Sequence, residues 1–152
     1  MKHPLSARSR YAVIALCSIF AAAPMAFSNT GRAEVTGKEV TYSDGETTMK
    51  GYLAYDSDKE GKRPGVLVVH EWWGHNAYAR KRAEMLAELG YTALAVDMYG
   101  NGKTADHPKD AGAFSGEVMS HLDTAEARFR AAIDFLKKQP QTDSGKIAAI
   151  GY

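Results

Sequence analysis

The residues with the most chemistry in them stand together as His70-Glu71-Trp72-Trp73-Gly74-His75. They follow residues 66–69, four apolar and mostly β-branched positions introduced by Pro64-Gly65, which read as a strand buried on both faces. Open α/β sheets hold ligands and catalytic groups at the carboxyl ends of such strands, so this corner is the candidate active site. A zinc reading fails on spacing. An H-E-x-x-H helix sets its histidines four apart on one face, whereas His75 comes five positions after His70 and no predicted helix contains both. Neither a metal nor a cofactor is expected. Asp97, at the end of a second apolar strand, reads as a turn-forming acid that holds local backbone rather than as a catalytic group.

Positioning such a corner takes a sheet, and the chain supplies one. Residues 35–42 and 49–55 predict a β-hairpin around Asp44-Gly45. After the strand at 66–69, a helix is expected from about Ala77 to Leu89, stopped by Gly90, with Ala79, Ala83, Leu86, Ala87 and Leu89 on its apolar face. Residues 91–96 predict another short strand, and the stretch to about Gly116 reads as irregular. A long helix is expected from about Val118 or Ser120 to Gln139. Ser120 and Asp123 resemble a capping box, and Leu122, Ala125, Phe129, Ala132, Ile133 and Leu136 form the buried face. Residues 146–150 predict a last strand. A hairpin followed by strand, helix, strand, helix, strand implies an α/β fold with a mostly parallel sheet and right-handed crossovers. Because the last strand has no helix after it, the chain is expected to be truncated there.

Composition is that of an ordinary globular domain, 45% hydrophobic and 24% charged. Four of the 19 basic residues and none of the 18 acidic ones lie in the first 33 positions, so the remainder is mildly acidic and carries no footprint for nucleic acid. Lys2, Arg8 and Arg10, an apolar run of about 13 residues from Tyr11, and then small residues have the layout of a secretory signal peptide. A membrane-spanning helix needs about 20 residues. Residues 1–33 are therefore expected to be removed, by cleavage after Ser28 or Ala33, leaving residues 34–152 exported to the periplasm or the medium. Only an uncleaved signal would tie the protein to a membrane. Cys17, the single cysteine, would leave with that segment, so no disulfide framework is expected.

At the far end, Ala149-Ile150-Gly151-Tyr152 is what precedes the nucleophile in a G-x-[SC]-x-G elbow. With VLVVHEWWGHN at 66–76, YTALAVDMYGNG at 91–102 and KIAAIGY at 146–152 in this order and spacing, the chain resembles the amino-terminal half of the dienelactone hydrolase family, within the α/β-hydrolase fold. The resemblance implies an ester or lactone hydrolase whose nucleophile, usually cysteine, and whose aspartate and histidine all fall beyond Tyr152. It implies that Glu71 pairs with the nucleophile and manages its proton, in an apolar setting given by Trp72 and Trp73 that would raise its pKa. The alternative for Glu71 is a cap on the following helix.

The backbone N–H of Trp72 is the expected oxyanion-hole donor, Gly74 either a required turn glycine or an ordinary one, and Trp73, Tyr99 and Asn101 the expected substrate contacts. His70 and His75 are expected in supporting roles, since the fold's catalytic histidine comes late in the chain. Family members acting on the carboxylated dienelactone place an arginine near position 101. This chain has Asn101, with Lys103 two residues on, so a different small ester or lactone is expected. Residues 1–152 alone are expected to be inactive. A serine esterase of the same fold is one rival reading. The other is a non-catalytic exported α/β binding protein, although no G-x-G-x-x-G or Walker loop follows any strand.

Overall fold

The computed structural model describes residues 33–152. The predicted signal segment lies outside them except for Ala33. In chain order the elements are β1 (Val35–Asp44), β2 (Thr47–Asp56), β3 (Arg63–Val69), α1 (Ala77–Glu88), β4 (Thr92–Ala95), α2 (Pro108–Ser120), α3 (Leu122–Lys137) and β5 (Thr142–Gly151). The strands form one mixed sheet in the order β1-β2-β4-β3-β5. β1 and β2 are the expected hairpin, with Gly45 at φ 55° as the first of its two turn residues, where a primed turn wants glycine. β2 runs antiparallel to β4, and β3 lies parallel to both β4 and β5. The fold is the α/β-hydrolase-like arrangement that the sequence implies.

Two cores sandwich the sheet. Alternation along β3 sends Leu67 to one face and Val68 to the other. On Val68's side, Ala79, Ala83 and Ala87 of α1 recur at helical spacing and meet Ala54, Ala93 and Ala95. On Leu67's side, Ala132 and Leu136 of α3 meet Leu53, Leu94 and Val96. The two helices cover opposite faces because the chain leaves β3 toward β4 and then returns past it to β5. Right-handed crossovers in opposite directions put their helices on opposite sides. Both helices thus brace β3, whose end carries the candidate site.

The region 103–121 departs from expectation. The stretch read as irregular contains α2, and the single long helix is two helices that break at His121. The predicted capping box is absent. His121 is the cap position, no side chain caps α3, and the Ser120 hydroxyl donates to the Gly116 carbonyl instead. Leu122 and Leu89, placed on apolar faces by periodicity, are exposed, since each sits at a helix end beyond the reach of the sheet. In β5, Ile147 packs into the core that α3 covers, while Lys146, Ala148, Ala149 and Gly151 are exposed. Among the described residues no helix is long and apolar enough to cross a membrane.

Candidate active site

β3 ends at Val69, and the chain makes a tight turn over Glu71-Trp72-Trp73-Gly74, closed by the Gly74 N–H donating to the Glu71 carbonyl at 3.1 Å. Gly74 has φ 86°, and a Cβ there would run into the Lys103 carbonyl oxygen, so this position requires glycine. Asn76 then caps α1, its Oδ1 accepting from the Tyr78 and Ala79 amides at 3.0 and 3.2 Å. Glu71 is therefore not the cap, and its carboxylate is left to the cleft.

That cleft, about 220 Å³, lies between the turn, the residues after β4 and α2. Glu71, Trp72, Tyr99, Val118, Met119 and Tyr152 are among its walls. Among the described residues, the expected apolar enclosure of Glu71 is not formed. Glu71 is exposed, Trp72 is 44% exposed, and Trp73 lines a second, wider cleft of about 620 Å³ with His75, Arg80 and Asp106. Asn101 is exposed at φ 57°, held by its N–H to the Thr48 carbonyl (2.7 Å), and does not line the Glu71 cleft. Tyr99 does line it, but its hydroxyl is spent on the Trp72 carbonyl at 2.9 Å. Burial raises the Tyr99 pKa, which keeps the phenol a donor.

Asp97 has the bland role. It is fully buried, and its two carboxylate oxygens accept the backbone N–H groups of Lys50, Tyr99, Gly100 and Gly102 at 2.7–3.1 Å. These bonds fold the 97–102 loop against β2 and set Tyr99 under the turn. Arg128 of α3 pins the same loop through the Met98 and Tyr99 carbonyls at 2.9 and 3.1 Å. The helical periodicity of the sequence singles out neither Arg128 nor the α2 wall. Pro108 at the start of α2, with Asp110 in its first turn, is the signal that marks the missing helix.

Two features of the turn suit acyl chemistry. The Trp72 amide has no acceptor among the described residues, while the carbonyl end of its own peptide, at Glu71, and the carbonyl of the next, at Trp72, are both held. Ser115, from α2, donates its hydroxyl to the Gly112 carbonyl at 3.2 Å, a bond within its own helix. A core strand ending in an acidic turn, beside a parallel strand ending in Gly-Tyr, defines the first half of an α/β-hydrolase.

Comparison with known proteins narrows that class: the chain belongs to the dienelactone hydrolase family, whose pattern it matches over residues 49–152. It is 34% identical to "Protein usf" of Aquifex pyrophilus over 120 residues, which are 76% of this chain and 50% of that protein. Among solved structures it is similar to "m3DLH" (38% identity, TM-score 0.75, 80% of this chain and 50% of the other). It is also similar to a dienelactone hydrolase-like promiscuous phosphotriesterase from metagenomic libraries (38% identity, TM-score 0.74, 78% and 49%). The chain spans about half the length of the relatives it matches.

Proposed function

We propose that the whole protein hydrolyses small-molecule esters or lactones by nucleophilic acyl transfer. The register of β3 and β5 supports this reading: Val69 pairs with Gly151, so the carboxyl ends of the two strands stand side by side at the cleft that Glu71, Trp72 and Tyr152 share, where the nucleophile is proposed to sit. A nucleophile there attacks the carbonyl carbon, and the carbonyl oxygen takes up negative charge against the Trp72 N–H. The leaving alcohol departs, and water releases the acyl group from the covalent intermediate. Glu71, in the same cleft, is the group to take or return the nucleophile's proton. Membership of the dienelactone hydrolase family supports the reaction class. Asn101 with Lys103, in place of an arginine, favours a substrate other than the carboxylated dienelactone.

Protein expressed from the complete reading frame is expected to turn over a p-nitrophenyl ester or a simple lactone, and to lose that activity to a thiol-directed reagent. Inactivation by a fluorophosphonate instead would make it a serine esterase. Folded protein that turns over no member of an ester and lactone panel would refute the proposal. Export is proposed on the layout of residues 1–33 alone. Amino-terminal sequencing of the mature protein should then begin at Asn29 or Glu34, and a start at Met1 or Lys2 removes the idea.

A further inference from the structure

His70 makes two hydrogen bonds, and together they determine where its proton sits. Its Nδ1 is 2.6 Å from the Glu71 carbonyl oxygen, and its Nε2 is 3.2 Å from the Met98 amide nitrogen. A backbone N–H can only donate, so Nε2 must accept, and the one proton of the neutral ring is left on Nδ1 to donate to Glu71. The ring is 8% exposed and stands edge-on to Tyr99, with centroids 4.7 Å apart. Burial lowers its pKa and keeps it in this neutral form.

The target of that proton gives the contact its meaning. The Glu71 carbonyl and the Trp72 N–H are two ends of one planar trans peptide, so fixing the carbonyl aims the N–H the opposite way. The next peptide, at the centre of the turn, is held by Tyr99 through the Trp72 carbonyl. An oxyanion donor works by being aimed before the charge develops. The turn's own bond from Gly74 restrains the Glu71 carbonyl, but it lies wholly within the turn. His70 anchors the same oxygen to the backbone after β4, outside the turn.

The geometry points to His70 as a positioning residue, a ring whose proton is fixed by Met98 and which aims the Trp72 N–H at the developing oxyanion. The role rests on the hydrolase reading and adds to it a histidine that is neither the base of a triad nor a metal ligand.

The test uses protein from the complete reading frame. His70→Leu should lower kcat on a p-nitrophenyl ester by on the order of 10²-fold with KM nearly unchanged, because the aim of a transition-state donor is what is lost. His70→Gln, which carries one acceptor beside one donor, should recover much of that loss. Nitrogen-15 NMR of the wild type should show His70 protonated on Nδ1 and bare on Nε2 at neutral pH. If His70→Leu does not fold, the glutamine variant and the tautomer decide. Wild-type kcat in the leucine variant, no recovery in a folded glutamine variant, or a proton on Nε2 would each overturn the role. Inactive wild-type protein with the expected tautomer would remove the hydrolase reading, and with it the oxyanion, while leaving the histidine contact standing.

Discussion

At the scale of single residues, the candidate site is mostly backbone held by side chains. Tyr99, His70 and Asp97 each engage main-chain groups, and among the described residues lining the cleft Glu71 is the one carboxylate. His75 differs from all of these. It is 3% exposed, and its Nε2 has no hydrogen-bond partner among the described residues. Burial, aided by the Arg80 guanidinium, lowers its pKa from 6.5 to about 4. Between those values the unfolded chain binds a proton that the folded chain refuses, so stability falls as pH drops through that window and is untouched by His75 above it. The full difference is roughly 3 kcal/mol. His75→Phe should therefore lose less stability than the wild type between about pH 7 and about pH 4.5, read from urea midpoints. Parallel losses in the two proteins would mean that His75 is not held neutral.

At the scale of elements, what was legible in the sequence follows from how each element is buried. β3 and β4 lie under helices on both faces, which leaves continuous apolar runs, so their existence and the corner after β3 could be read directly. α2 could not. It buries one side chain, Ala111, and contains Gly112 and Gly116, so it has no apolar stripe to betray a helical period. The break at His121 is hidden because the periodic face of α3 begins at Leu122, directly after it, and Ser120, a residue type that caps helices, stands one step earlier. The strand they follow sets Glu71 and the Trp72 amide at the corner, and the roles expected of them come from the family resemblance. The bonds from Met98 to His70 and from Tyr99 to Trp72 span 28 and 27 residues, and residue types alone do not say which distant backbone group each will meet. The weak anchoring of α2 has its own consequence, since low burial goes with low local stability. Amide hydrogen exchange at neutral pH should be faster through residues 108–120 than through residues 126–137, and equal protection of the two helices would contradict that difference.

At the scale of the whole molecule, the described sheet has two edge strands, β1 and β5. β1 is charged along its length, with Lys38 and with Glu39, which pairs with Arg80 at 2.8 Å. Residues 147–151 of β5 carry no charge. Ala148 and Ala149 point to opposite faces and both are exposed, while the free backbone edge of the strand lies beyond β3. An apolar strand in that state pairs with another copy. Residues 34–152 expressed alone should therefore self-associate with rising concentration, and Ala148→Lys should shift sedimentation profiles toward the monomer by placing a charge where two strands would meet. The non-catalytic binding protein makes the opposite forecast: a monomer at every concentration, cooperative unfolding, and no response to the lysine. Sedimentation velocity separates the two. Self-association relieved at Ala148 would identify β5 as a strand built to be covered, which is the place an elbow and its helix would occupy.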